Sequence, residues 1–427
     1  MSPLDRAGAL DAVAASHESW SAAWAALTRG STRTVSGASV AHVRSRRGDV
    51  LQVMFADPGE IPGAVADRVL EAAAELGPLR EIGWWAMDDD AALGASLLAR
   101  GFGWGWRPHW MGIEPGGLAS DHPLPQGVVI GEVAERVDWD VEDLPNYRRQ
   151  SGRLTGALSR LRPGRAVTLA AFEDDRVVGR IVLHASPPGS RGVAESVGGI
   201  YEAGVVPAAR RRGIGGALTA AAVERALELG CPVVTLNATP MGIPVYRRVG
   251  FESLGWGRTW WMAAERLEAG GPPEESIRLV EAIGAVDPAP LEALLAGGGV
   301  DLEARLPCGE TPLGVAVLVR RQEAARVLVA HGARLDVISA WDLGWRDQTA
   351  AMLRDRPELA NLRSGEHGAT PLHIAIDRDD EDLARLALAA RPDLSVRDLT
   401  YDSDPMGWAE HLGRPRMAAL IQEAIAG

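Results

Sequence analysis

The middle of the chain is laid out as a sheet with helices. Apolar residues dominate 166–173 and 176–184, and the polar turn Glu173-Asp174-Asp175-Arg176 between them predicts a β-hairpin. A further apolar run at 199–206 stops at Pro207. An alanine-rich stretch with helical spacing covers 215–229, followed by a strand at 233–238. Upstream, 128–133 reads as a strand and 144–161 as an irregular helical stretch. This order predicts an α/β (α+β) fold, a mixed sheet with helices on its faces. Gly/Pro-rich stretches at 114–127 and 269–273 act as linkers. They divide the chain into 1–114, 128–268 and 274–427.

Two kinds of internal repeat appear. In the first segment, 81–87 reads as a strand and 93–100 as a helix. They lead into Gly101-Phe102, then Trp104-Gly105 and Trp110-Met111. The middle segment ends in the same steps: Gly250-Phe251, Trp256-Gly257 and Trp261-Met262. The first segment therefore reads as a worn copy of the second. The third segment repeats Thr311-Pro312-Leu313 as Thr370-Pro371-Leu372-His373, with a weaker echo at Asp404-Pro405-Met406. Pro371 and Pro405 lie 34 residues apart, whereas Pro312 and Pro371 lie 59 apart, so a short degenerate repeat (342–366) is expected between them.

Composition narrows the picture further. A chain of 427 residues exceeds one core, so several domains are expected. Two cysteines cannot build a disulfide framework or a zinc site, and no metal is expected. The start of the chain has no signal-peptide apolar core and no apolar run is long enough to span a bilayer, so a cytoplasmic protein without a membrane partner is expected. A net charge of −13 argues against nucleic acid as a partner. Most of it falls in 274–427, where 26 acidic residues face 16 arginines, so an acidic face there could hold a polycation.

The chemistry concentrates at 205–218. After Val205-Val206-Pro207 comes Arg210-Arg211-Arg212-Gly213-Ile214-Gly215-Gly216, which contains Arg-x-x-Gly-x-Gly just before a helix. Glycines let the backbone turn tightly against a ligand. A helix start leaves N–H groups unpaired beside a partial positive charge, and a pyrophosphate fits there. A Walker loop is excluded because the chain has no lysine, and the spacing does not match Gly-x-Gly-x-x-Gly.

This stretch resembles the acyl-CoA loop of the GNAT acetyltransferases, and Pro244-Val245-Tyr246-Arg247-Arg248-Val249-Gly250-Phe251 resembles the family's short helix ending in Tyr-x-x-x-Gly-Phe. The first segment lacks the loop and resembles the cofactor-free half of a tandem GNAT protein. The third segment resembles ankyrin repeats, about five units in an all-α solenoid, whose box histidine (His373) stabilises the turn.

The GNAT resemblance implies an acetyl-CoA-dependent N-acetyltransferase. Val205, Val206, Arg210, Arg211, Arg212, Gly213, Ile214, Gly215, Gly216 and Asn237 would hold the cosubstrate, the strand end pairing with its pantetheine arm and polarising the thioester. Tyr246 would protonate the departing thiolate. Glu202, with Glu195 in reserve, would take the amine's proton. By strand alternation Glu202 should share a face with Val206.

Seven of fourteen tryptophans lie in the first segment. Aromatic faces attract ammonium groups, which points to a cationic amine on a small molecule or basic peptide; an aminated antibiotic in self-resistance is one such acceptor. The ankyrin repeats could bind a protein partner. The competing class is a non-catalytic regulatory protein that senses acyl-CoA and binds its partner through the repeats.

Overall fold

The computed structural model describes residues 6–56, 60–119, 122–133, 157–158, 164–268, 270–365 and 367–426. Of the expected helical stretch at 144–161, all but 157–158 lies outside the described residues. The chain divides into two units, 1–273 and 274–427, at the Gly-Gly-Pro-Pro linker.

The first unit runs α1 (Arg6–Leu27), β1 (Ser31–Val35), β2 (Ala38–Val43), β3 (Asp49–Met54), α2 (Pro62–Ala74), β4 (Leu79–Ala86), α3 (Ala91–Ala99), β5 (Gly103–Trp104), β6 (His109–Ile113), β7 (Val128–Glu132), β8 (Ala166–Glu173), β9 (Arg176–Ala185), β10 (Val197–Val205), α4 (Ile214–Glu228), β11 (Val233–Ala238), α5 (Ile243–Val249), β12 (Glu252–Trp256), β13 (Arg258–Ala263) and α6 (Ala264–Glu268). The strands form two sheets, ordered β1-β2-β3-β4-β13-β5 and β12-β6-β11-β10-β9-β8-β7.

Each sheet repeats one plan. An antiparallel run leads to a parallel pair, β3 with β4 and β10 with β11, crossed by α2 or α4. A parallel return needs such a crossover. β9 is buried along nearly its whole length on both faces, so its sequence does not alternate apolar and polar residues.

The sheets do not follow the linear division at residue 114. β6, from the first segment, lies between β11 and β12 of the second sheet; β13, from the second, lies between β4 and β5 of the first. Two copies of one plan have equivalent last strands, so each can close the other's sheet, as in domain swapping. The repeated Trp-Gly step marks the crossing points. A Cβ on Gly257 would stand 2.5 Å from Ala86 O and 2.6 Å from Trp110 Nε1, and one on Gly105 would stand 2.3 Å from Thr259 Oγ1. Only glycine fits at either place. Gly257 N–H donates to Pro108 O, and Gly105 N–H donates to Thr259 O.

α1 is rich in alanine and is buried over most of its length. It contacts strands of both sheets, with Ala9, Val13, Ala15 and Ala25 fully buried. Across the second sheet, α4 buries Ile214, Leu218 and Val223 against Ile181, Leu183, Ile200 and Leu236. Each such side chain contributes about 1.5–3 kcal/mol on burial.

Among the described residues the second unit holds five successive helix pairs: α7 (Glu274–Gly284) with α8 (Ala289–Ala296), α9 (Pro312–Leu318) with α10 (Gln322–Ala330), α11 (Val337–Asp342) with α12 (Arg346–Asp355), α13 (Pro371–Arg378) with α14 (Glu381–Ala389), and α15 (Pro405–His411) with α16 (Pro415–Ala426). Thr311, Thr370 and Asp404 cap the first helices of their pairs, each followed by proline at the first helical position. His373 closes the Thr370 box: Nδ1 lies 2.8 Å from Thr370 Oγ1, and Nε2 lies 3.1 Å from Ser403 O. The degenerate repeat begins earlier than residue 342. Asp336 caps α11 by accepting from the N–H groups of Ile338 and Ser339. An aspartate does there what the Thr-Pro box does elsewhere, so the proline spacing placed the start of this repeat too late.

Candidate functional site

β10 and β11 pair from Val197–Val233 to Ile200–Leu236 and then part. Tyr201 to Val205 continue along β9 alone, across a bulge between Tyr201 and Gly204 in which Glu202 takes φ = 50°. Val206 N–H donates to Val178 O on the β9 side. By alternation, the N–H of Val205 points into the gap instead.

Beyond the gap, Pro207–Ala209 makes a single 3₁₀ turn and Arg210 Nε donates to Val205 O at 3.1 Å. Arg212 grips Glu173 of the β8–β9 hairpin at 2.6 and 3.0 Å. Arg211 is exposed. Gly213 stands at the N-cap of α4 with φ = 89° and no side-chain cap. The left-handed backbone there suits glycine, and the uncapped first turn leaves its N–H groups for an anion. These features fit the phosphate end of a CoA thioester.

Tyr246 is half-buried on α5, next to Val245, whose side chain lies against Gly215. Burial pushes its phenol up to about 12, so it holds its proton at neutral pH. Asn237 lies on β11 just past the last β10 pair, opposite Trp110 of β6. Its neighbours Leu236 and Ala238 face the α4 core, so Asn237 faces the α1 side.

Glu202 does not share a face with Val206. The bulge adds a residue, so Tyr201 and Glu202 both turn to the α1 side, while Val206 enters the α4 core. There Glu202 pairs with the buried Arg180 (Oε2 to Nη2, 2.9 Å). Burial outweighs this partner and lifts the carboxyl to about 7. Glu195 is exposed and precedes the other end of β10, away from the gap.

α1 covers this face. Ser16 Oγ and Tyr201 Oη are 2.7 Å apart, Trp20 stacks on Tyr201 at 4.3 Å, and Ser19 meets His184 Nε2 at 2.9 Å. His17 lies among Tyr201, Trp110, Trp85 and Phe55, and burial lowers its imidazole to about 4. Much of the first segment's aromatic content is therefore packing between the sheets. His17 and Trp20, both on this face, were not singled out in the sequence; the signal available was a histidine between Ser16 and Glu18 on a helix buried over most of its length.

The first sheet has no such gap. β3 and β4 pair through Met54–Trp85, and Phe55 N–H goes on to Trp85 O at 3.0 Å. Arg191, from the turn between β9 and β10, then donates to Phe55 O.

In the second unit, a cavity of about 440 Å³ is lined by Arg320, Arg346, Arg378, Trp341, Asp342 and Asp380, among others. Arg378 pairs with Asp342, and Arg346 lies over Trp341. Three arginines against two aspartates do not make this cavity an acidic receptor for a polycation. Among the described residues no cluster of three or more His, Cys, Asp or Glu could hold a metal, and no helix is long and apolar enough to cross a membrane.

Residues 133–251 match the acetyltransferase (GNAT) family and residues 367–399 match the ankyrin repeat. No curated protein sequence matches the chain. Among solved structures, a GCN5-related N-acetyltransferase from Kribbella flavida is 20% identical over 58% of this chain and 95% of its own, with a TM-score of 0.41. A tandem GNAT protein from the clavulanic acid biosynthesis pathway is 17% identical over 59% of this chain and 97% of its own, TM-score 0.36. A GCN5-related N-acetyltransferase from Ralstonia eutropha JMP134 is 31% identical over 24% of this chain and 69% of its own, TM-score 0.21.

Proposed function

We propose, for a chain whose residues 133–251 are a GNAT acetyltransferase domain and whose residues 367–399 are an ankyrin repeat, that it moves the acetyl group of acetyl-CoA to a primary amine of a cationic small molecule or peptide. The observation that carries this reading is a parted parallel strand pair running straight into an uncapped helix N-terminus.

Acetyl-CoA, when bound, supplies an activated thioester carbonyl. The first turn of α4 and the Arg211–Gly213 loop would hold its pyrophosphate. The main chain at Val205 would pair with the pantetheine arm, and N–H groups left open by the parting would stabilise negative charge on the carbonyl oxygen. Glu202 would take a proton from the ammonium, directly or through water. A carboxyl near 7 is matched to that task at neutral pH. The amine nitrogen would then bond the acetyl carbon as the carbon–sulfur bond breaks, and its second proton would leave to solvent. Tyr246, kept protonated by burial, would donate to the departing sulfur.

The first lobe supplies β6 and α1 to this site rather than a second cradle. An aminated antibiotic is an acceptor of the stated class, and self-resistance would follow from it. The ankyrin repeats would recruit a protein partner in the cytoplasm.

A thiol-release assay with acetyl-CoA and a panel of polyamines, aminoglycosides and basic peptides tests the reading. Amine-dependent release of CoA supports it. Tight acetyl-CoA binding with no turnover of any amine would replace it with the acyl-CoA sensor.

A further inference from the structure

We infer that His17, carried by the first lobe, is an acceptor-binding residue of the active site in the second: Nε2 of its imidazole accepts a hydrogen bond from the incoming amine where β10 and β11 part. This rests on the acetyltransferase reading above.

Placement is the first argument. The residues at the mouth of the gap on the α1 side are Tyr201 and Asn237. The His17 ring lies 5.3 Å from that of Tyr201 and 5.2 Å from that of Trp110, which sits opposite Asn237. The uncapped N-terminus of α4 and Tyr246 lie across the sheet from α1. A thioester entering from the α4 side leaves the α1 side for the amine.

Chemistry is the second. His17 is 4% exposed, and its Nε2 has no hydrogen-bond partner among the described residues. A buried polar atom without a partner costs about 1–3 kcal/mol, and such an atom calls for a reason. Four aromatic rings, those of Phe55, Trp85, Trp110 and Tyr201, have centroids within 6.2 Å of the imidazole. Aromatic faces attract an ammonium group. Burial keeps the imidazole neutral, so it offers a lone pair and does not repel a cation. Glu202, on the same face, is available for the proton.

His17→Phe separates this role from simple packing, because it keeps a ring and removes both nitrogens. The probes are spermidine, kanamycin and triarginine, each with acetyl-CoA in a thiol-release assay, and the amine that turns over fastest is carried forward. The expected result is a KM for that amine raised at least about tenfold, an unchanged KM for acetyl-CoA, and a thermal midpoint no lower than wild type. His17→Gln, whose Oε1 can accept in place of Nε2, should recover most of the loss. On the wild-type protein labelled with ¹⁵N-histidine, the same amine should shift the His17 imidazole nitrogen resonance. An unchanged amine KM in His17→Phe, a parallel rise in both KM values, or no shift of the His17 resonance overturns the inference alone. No transfer by the wild type to any of the three amines overturns the proposed function, and this inference with it.

Discussion

Glu202→Gln should cost the protein its turnover and raise its stability, and the two effects share one cause. The carboxyl is 14% exposed and burial lifts it from 4.5 to about 7, even with Arg180 at 2.9 Å. The shift corresponds to about 3 kcal/mol of differential stability at 1.36 kcal/mol per pH unit. An acid with a raised folded pKa ionises first in the unfolded chain. Between pH 4.5 and about 7 the unfolded state binds fewer protons, so stability falls as pH rises, and the full cost is present above pH 7. Glutamine never ionises, and its amide oxygen can still accept from Arg180. The variant should therefore match wild type at pH 4.5 and exceed it by up to about 3 kcal/mol at pH 8, read from urea unfolding of the full chain. Loss of a general base slows turnover by about 10²–10⁴-fold. The acid limb of kcat/KM near pH 7 should vanish with it. An equal stability difference at both pH values would refute the burial argument, and unchanged turnover would remove Glu202 as the base.

Three further outcomes follow from the same geometry. Tyr246→Phe should lower kcat at least about tenfold in the thiol-release assay with little change in the KM for acetyl-CoA, since a buried phenol held near 12 acts as an acid. Deleting 274–427 should leave acetyl-CoA affinity intact by calorimetry, because the cradle is built within the 1–273 unit. Burial alone would raise the Asp398 carboxyl, but donation from Tyr401 N–H, the Trp408 indole, Ser403 N–H and Thr400 N–H holds it at about 2. That is worth about 2 kcal/mol, present above about pH 4 and lost as pH falls through 2; Asp398→Asn should remove this acid sensitivity from the thermal unfolding of the full chain.

Local chemistry was legible in the sequence; what depended on contacts between distant segments was not. Arg210 to Gly216 announced a loop and a helix start, because glycine spacing and a basic run act within a few residues. Thr370 and His373 announced their turn for the same reason. The repeated Trp104-Gly105 and Trp256-Gly257 steps betrayed duplication. Their cause is the exchange of β6 and β13, and it needs residues about 150 positions apart. Glu202 was singled out by its place before the loop, but strand alternation gave it the wrong face. A bulge adds one residue and leaves no trace in a hydrophobic pattern. Asp336 hid the start of the degenerate repeat because a cap can be made by more than one residue type.

On the proposed function, one cradle, at the parting of β10 and β11, serves the whole chain. Calorimetric titration of the full chain with acetyl-CoA tests it most directly, alongside Gly215→Glu. That glycine has ordinary room for a Cβ, 3.7 Å from Val205, so the variant should fold while setting a carboxylate at the first turn of α4. One acetyl-CoA per chain, with binding lost in Gly215→Glu, is the predicted result. Two per chain, or full affinity in the variant, would contradict it.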